Sequence, residues 1–440
     1  MTSGKRIVLS TFGSFGDVHP YIAVALELLR RGHRPVIATT EMYREKVEPL
    51  GIEFRRVRPD MPSYDEPERV AEIIEHVVNA RTGPERLMRT MILPHLRDSY
   101  EDLLAAVRGA DLLLTHPLPF VGPLVAEVTG VLWASSVLAP GSFLSIYDPP
   151  VPPQLPALHA LMTRSRAFTR AVMWAGRKRI DSLVKPVYSM RRELGLARGR
   201  NPMFEGQHSP ALVLALYSKV LGDPQADWPP NTIVTGFPFY DRRDRAGDDP
   251  HEGLAPALEE FLDAGEPPVV FTLGSSAIYV AKDFYAESVK AARELGVRAL
   301  LLLGDERNRL PEPLAEGVAA FDYAPYGELL PRARAVVHQG GVGTTGQALR
   351  AGRPTLIVPH AFDQHDNAAR AERLGVSRTL NRPRYKARTA ARELRELLAV
   401  ESYARRAEEV GRVVCAEDGA RAAADALEGL LAAGGSFVRV

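Results

Sequence analysis

What this chain has little of narrows its class before any motif is found. It holds one cysteine, Cys415, which excludes an internal disulfide and a cysteine-rich metal site and suits a reducing compartment; the residue itself reads as helix packing. Charge of one sign is missing as well. With 55 Lys and Arg against 54 Asp and Glu, the net charge is +1, so no global field draws the chain to nucleic acid, and an anionic ligand has to be held locally. Long apolar runs are absent too. Stretches such as 211–217 and 299–303 stop far short of the ~20 residues needed to span a bilayer. The apolar stretch after Lys5 and Arg6 covers only Ile7 to Leu9, too short for the core of a signal peptide. A cytoplasmic protein is expected, as a monomer or dimer.

At 440 residues the chain exceeds one ordinary hydrophobic core and suits two domains of roughly 200 residues each. The first half opens with a buried-strand pattern over 6–11, a Gly-containing loop, and a helix from Pro20 to Arg31 closed by Gly32. A strand at 35–39, a helix from about Glu41, helical stretches over 68–107 and a strand at 111–115 follow. Such alternation predicts an α/β fold with a parallel sheet. A second start lies at Pro267 and Pro268, where 269–273 is again an apolar strand, running into Gly274, Ser275 and Ser276. The expected division is an N-terminal domain over 1–236, a charged, Gly-containing linker over 237–250, a C-terminal domain over 251–417 and a final helical segment over 418–440.

The stretch from about 140 to 210 differs from both halves and reads as an insertion over the cleft between two lobes. It begins with Pro149, Pro150, Pro152, Pro153 and Pro156 and continues as one long helical pattern, 157–185, with seven basic residues and one acidic residue. Leu161, Phe168, Val172 and Met173 fall on an apolar side. A solvated basic face is the simpler reading of this helix, and contact with a membrane surface is the other.

The chemistry concentrates in 335–352, A-V-V-H-Q-G-G-V-G-T-T-G-Q-A-L-R-A-G, a strand, a Gly-rich turn and a helix. Gly340, Gly341 and Gly343 let the backbone approach a ligand, and the N–H groups that open the helix near Thr344 present the positive end of its dipole. Thr344 and Thr345 add hydroxyl donors. His338, ending the strand, can donate to a phosphate oxygen of a departing diphosphate. Tight packing alone also explains such glycines. The sequel adds a strand at 355–358, then Pro359, His360, Ala361, Phe362 and the pair Asp363 and Gln364. Asp363 can cap the following helix, but a carboxylate beside an amide is also what binds sugar hydroxyls.

The stretch 321–375 resembles the nucleotide-sugar signature of family 1 glycosyltransferases, which adopt the GT-B fold of two Rossmann-like domains facing across a cleft, with a C-terminal helix that crosses back to the N-terminal domain. Gly13-Ser14-Phe15-Gly16-Asp17-Val18-His19-Pro20, with Arg31-Gly32-His33 after it, resembles the opening of bacterial members acting on antibiotics, sterols and lipids, and Val234-Thr235-Gly236-Phe237-Pro238 resembles the approach to their linker. The resemblance implies an inverting, metal-independent transfer of a hexose from a UDP- or dTDP-sugar to a hydroxyl of a hydrophobic small molecule, with no cofactor beyond that co-substrate. It assigns Gly16 to the donor, Ser275 and Ser276 to the phosphates, His338, Thr344 and Thr345 to the diphosphate, Asp363 and Gln364 to the sugar, and Tyr323 and Ala324 to the border of the base. The ribose-binding Glu of plant relatives is replaced by Gly346, with Gln347 next, which leaves room for a dTDP-sugar. Phe143, Tyr147, Phe168 and Trp174 in the insertion are the expected acceptor walls.

No Asp-x-Asp pair occurs to carry a divalent ion, and the spacing of His338, His360, Asp363 and His365 matches no common ligand pattern. A dinucleotide-dependent oxidoreductase would need G-x-G-x-x-G, whereas Gly13 and Gly16 give G-x-x-G followed by Asp17, whose charge repels a pyrophosphate. A nucleotide-sugar epimerase of the same fold is the nearer alternative, and a sugar-binding module without catalysis a third. Where plant and several bacterial relatives carry a catalytic histidine, this chain has Asp17. His116, after the strand 111–115, stands near the place of their orienting Asp, so the two residue types are expected to have exchanged places, with His19 as the fallback base. Asp17 as a helix cap and His116 as a packed strand-end residue are the simpler readings.

Overall fold

The computed structural model describes residues 4–62, 66–79, 82–241, 253–311 and 313–434. Residues 242–250 of the expected linker lie outside them. The chain forms two compact units, one of residues 1–65, 84–240 and 417–440, the other of 66–83 and 241–416.

In the first unit β1 (Arg6–Ser10), β2 (Arg34–Thr39), β3 (Glu53–Arg56), β4 (Leu112–Thr115), β5 (Leu132–Val137), β6 (Val213–Ala215) and β7 (Thr232–Val234) form a parallel sheet in the order β3-β2-β1-β4-β5-β6-β7. Ile7, Val8, Leu9 and Leu112 to Leu114 expose no surface, as expected of parallel strands covered on both faces. The second unit repeats the plan with β8 (Val269–Thr272), β9 (Ala299–Leu302), β10 (Val318–Phe321), β11 (Ala335–His338), β12 (Thr355–Ile357) and β13 (Ser377–Thr379), ordered β10-β9-β8-β11-β12-β13. In each sheet the order reverses once beside the first strand of the unit.

Four elements differ from the sequence expectation. The first helix runs Phe15–Arg30 and carries Pro20 inside it, because Ser14 and Asp17 already close its N-terminal turn. The helix Pro67–Val77 belongs to the second unit, where it packs on the turn Ile278–Val280. The pattern over 157–185 is broken at Ser165, whose extended backbone and side chain cap Arg166–Leu183 by accepting from the Phe168 amide at 3.2 Å. The stretch 404–431, whose helical composition reads as one crossing helix, is likewise two helices, Glu401–Cys415 in the second unit and Gly419–Ala432 in the first. Cys415 is exposed rather than packed, its thiol donating to the Arg350 carbonyl at 3.3 Å.

Gly419–Ala432 crosses back onto Phe15–Arg30, burying Ala423, Ala424, Leu427 and Leu430 completely. Arg31, braced by Glu27 at 2.8 Å, reaches Asp425 and Glu428 at 2.6 Å each, and His33 meets Glu428 at 2.9 Å. Partly exposed ion pairs contribute about 0–1 kcal/mol each, whereas truncating a buried Leu costs about 2–5 kcal/mol. Leu427→Ala should therefore destabilise the protein clearly more than Arg31→Ala in thermal or urea unfolding. An equal or reversed ranking would show that charge, not burial, holds this helix.

Candidate active site

Ligands of open parallel sheets bind beyond the carboxyl ends of the strands, where the strand order reverses. In the first unit that point lies between β1 and β4; Asp17 stands in the first turn of the helix after β1, and His116 directly follows β4. Gly13 follows β1 with φ 139°. A Cβ on it would lie 2.2 Å from Asp17 Oδ2, so only glycine lets the carboxylate fold back over the loop. Asp17 Oδ2 accepts from the Ser14 amide at 2.8 Å and the Ser14 hydroxyl at 3.2 Å. Its other oxygen faces His116 Nε2 at 3.8 Å. His116 Nδ1 accepts from the Leu118 amide at 3.2 Å, so the neutral ring carries its hydrogen on Nε2, the atom turned towards Asp17.

Desolvation sets the charges of this pair. It pushes the Asp17 carboxyl up to about 6, against the opposing pull of the two Ser14 hydrogen bonds, and the His116 imidazole down to about 4. At neutral pH the pair is a carboxylate facing a neutral N–H. Asp17 keeps 34% of its side-chain surface and His116 12%, so an incoming group meets the carboxylate first. Behind them Tyr21 sets its ring edge to His116, and its hydroxyl pairs at 2.6 Å with Ser136, which donates to the Thr115 carbonyl at 3.0 Å. Asp17 is thus both part of the helix start and the exposed member of a pair.

Gly16 needs no glycine on steric grounds, since a Cβ there would meet Ser14 Oγ at an ordinary 3.6 Å. His19 sits in an aromatic cluster, its ring 5.1 Å from those of Phe15 and Tyr240. The Lys46 ammonium lies 5.0 Å from the same two rings, and burial pushes it down to about 7. Nothing in the local pattern around Lys46 marks it beforehand, because the rings that enclose it come from distant parts of the chain.

In the second unit the order reverses between β8 and β11. Ser275 and Ser276 lie half-buried in the short helix after β8. His338 ends β11 with no exposed surface. Its Nδ1 accepts from the Gly340 amide at 3.0 Å, which leaves the hydrogen on Nε2, and burial holds the ring neutral, down to about 3. Among the described residues that Nε2 has no partner, nor have the buried Thr345 Oγ1 and Gln339 Oε1. Thr344 accepts from the Gln339 amide at 3.4 Å. Each unsatisfied buried group costs about 1–3 kcal/mol, so three flanking one Gly-rich turn mark it as a place for polar partners. Gly340 has φ 89°, and a Cβ on it would stand 2.7 Å from Ile357 and 3.0 Å from the Gln364 carbonyl. Gly341 caps the helix Val342–Arg350, which holds Gly343 in its first turn.

Asp363 stands at the N-cap position of Gln364–Arg373, after Phe362 in the left-handed region at φ 54°, the kind of strain that gathers at functional sites. Its carboxylate accepts from Asn367 Nδ2 at 2.8 Å, and the same amide donates to the Gly340 carbonyl at 2.9 Å. Asn367 therefore ties the Gly-rich turn to the Asp363 turn, a role its place in the sequence did not suggest. The expected partnership of Asp363 and Gln364 is only half available: Gln364 Oε1 is taken by the His360 and Ala361 amides at 2.8 and 3.0 Å, leaving its N–H groups. Tyr323 is exposed by 40%, while Ala324, expected beside it, is buried at 2% and offers almost no surface. Among the described residues no group of three or more His, Cys, Asp or Glu is placed to hold a metal ion.

The four expected acceptor aromatics each have their own neighbours. Phe143 stacks on Trp228 with centroids 4.0 Å apart, Tyr147 lies under Arg166, Phe168 is half-buried, and Trp174 lies under Lys178. No ring contact joins them among the described residues.

Residues 7–101 match the glycosyltransferase family 28 N-terminal domain, and residues 291–429 the erythromycin biosynthesis protein CIII-like C-terminal domain. The chain is 33% identical over 435 residues, 94% of each protein, to the O-mycaminosyltylonolide 6-deoxyallosyltransferase of Streptomyces fradiae. It belongs to this glycosyltransferase family. A sterol 3-beta-glucosyltransferase of Candida albicans is 28% identical over 87% of the glycosyltransferase, which spans 25% of that longer enzyme. The fold is GT-B: the crystal structure of glycosyltransferase VinC in complex with dTDP matches with a TM-score of 0.68 at 19% identity, over 96% of this chain and 98% of that one. The epimerase alternative gains no support from these relatives.

In this glycosyltransferase Asn367→Ala should leave the Gly340 carbonyl without its donor and take one donor from the Asp363 carboxylate. The expected result is a KM for the sugar donor raised by about tenfold with a smaller change in KM for the acceptor. Unchanged donor kinetics would mean that the tie between the two turns does not position the donor.

Proposed function

We propose that the glycosyltransferase moves a hexose from a UDP- or dTDP-sugar to a hydroxyl of a hydrophobic small molecule, with inversion, without a metal ion, and in the cytoplasm. The observation that carries this reading is the Asp17–His116 pair. A carboxylate raised to about 6 is still ionised at neutral pH yet better matched to an alcohol proton than an ordinary one. His116 Nε2–H steadies its charge from behind. Asp17 takes the proton of the acceptor hydroxyl, the oxygen attacks the anomeric carbon, and the bond from that carbon to the diphosphate breaks, so one displacement inverts the centre.

The leaving diphosphate gains charge, and the neutral donor His338 Nε2–H, the Thr345 hydroxyl and the amides opening Val342–Arg350 are the groups suited to receive it. Ser275 and Ser276 add hydroxyls, and Asp363 with the Gln364 amide takes the sugar. Two features favour dTDP. Gly346 offers no side chain to a ribose 2′-hydroxyl, and Gln347 beside it already donates to Asp241 at 2.8 Å and accepts from Arg350 at 2.7 Å; VinC, of the same fold, was crystallised with dTDP. The O-mycaminosyltylonolide and sterol named for the two sequence relatives support an apolar acceptor.

Asp17→Asn should lower turnover by about 10²–10⁴-fold while donor affinity stays. The same variant should be at least as stable as the wild type at pH 7. A carboxyl raised in the folded state makes ionisation favour unfolding, a penalty complete above about 6 and absent below the unfolded value. The stability difference should therefore vanish as the pH falls towards 4. Full activity of this variant on an unactivated alcohol would move the base to His19. His338→Ala should lower kcat by on the order of a hundredfold or more with saturating donor; near-normal kcat would remove His338 from the leaving-group site.

A further inference from the structure

We propose that the helix Arg166–Leu183 rests this protein on an anionic lipid surface. Arg166, Arg170, Trp174 and Lys178 follow one another at intervals of four and so form a single stripe along the helix. All four are exposed, Trp174 by 61%. The stripe interleaves cations with rings: the Lys178 ammonium lies 4.8 Å from the Trp174 ring centre, and the Arg166 guanidinium 4.6 Å from that of Tyr147. Leu155, Leu161 and Tyr147 stand open in the segments leading to the helix, exposed by 60, 49 and 41%. Of nine exposed large hydrophobic residues among those described, four fall within 147–174. Single exposed apolar residues mean nothing, but a group of them on a basic segment does.

The charge on this face is largely unspent. Of the seven basic residues in 157–185, Arg177 pairs with Glu205 and Arg179 with Glu85. Among the described residues Arg164, Arg170 and Lys185 have no carboxylate partner, and Arg166 and Lys178 face rings. A protein of net charge +1 thus carries a locally positive segment with exposed apolar residues in it. Nucleic acid or an acidic protein segment would satisfy the cations and leave Leu155, Leu161 and Trp174 in water. An anionic bilayer satisfies both, because phosphates meet the cations while indole and aliphatic tips enter the boundary below the headgroups. The helix lies on the surface; no helix among the described residues is long and apolar enough to cross it. This docking is independent of the transfer chemistry.

The full-length protein is sedimented with vesicles of phosphatidylcholine alone and of phosphatidylcholine with one-third phosphatidylglycerol, at low and high salt. The wild type should favour the anionic vesicles by at least about tenfold at low salt and lose most of that preference at high salt. Arg170→Glu with Lys178→Glu should lower binding by at least about tenfold, with unchanged circular dichroism and unchanged transfer to a soluble acceptor in the absence of vesicles. Trp174→Ser should weaken it by about fivefold. Equal partitioning onto neutral and anionic vesicles, undiminished binding of the charge-reversed protein, or capture by polyglutamate or RNA without capture by vesicles would each overturn the proposal.

Discussion

Parallel strands buried on both faces leave only their ends for polar chemistry, and desolvation at those ends decides the charge of each group found there. The carboxyl end of β1 delivers Asp17 and that of β4 delivers His116, one driven up to about 6 and the other down to about 4 by the same cause. The carboxyl end of β11 delivers His338, held neutral by full burial. Once these charges are set, the division of labour follows: a carboxylate able to accept a proton near neutral pH, and imidazoles that donate hydrogen bonds without carrying charge.

Backbone amides supply the second half of the arrangement. His116 and His338 each accept, through Nδ1, from the amide two residues further on, Leu118 and Gly340. The same turn in both units thus fixes the same tautomer, with the hydrogen on Nε2. His360 uses the opposite pattern, its Nδ1 bonded to the Val358 carbonyl two residues back at 2.8 Å, so its Nε2 is left as an acceptor. Where each proton sits is therefore a property of the backbone after the strand, and His360 is the wrong tautomer to receive a leaving anion.

The strand-loop-helix plan was legible because continuous apolar strands, glycines after them and two similar starts are all local signals. Asp17, His116 and His338 could be picked out since each follows or ends a strand that such signals locate. Pro20 misled because the hydrogen bonds that begin its helix come from Ser14 and Asp17, so Pro20 stands five residues beyond the first helical position, the usual place of Pro. The transfer of Pro67–Val77 to the second unit, and the aromatic surroundings of Lys46, depend on contacts distant in sequence, which no periodicity carries. Asn367 was invisible for another reason: its two partners, Gly340 and Asp363, are neighbours only when β11 and β12 pair.

That Asp17 is the base, raised by its surroundings, is tested most directly by the pH dependence of kcat/KM for transfer to an unactivated alcohol, which reports the free enzyme. A base acts when ionised, so the rate should be level above pH 7 and fall about tenfold per pH unit below an apparent pKa near 6. The residual activity of Asp17→Asn should lack this limb. A wild-type profile that stays level down to pH 5, or a limb near 6 that persists in Asp17→Asn, would contradict the account.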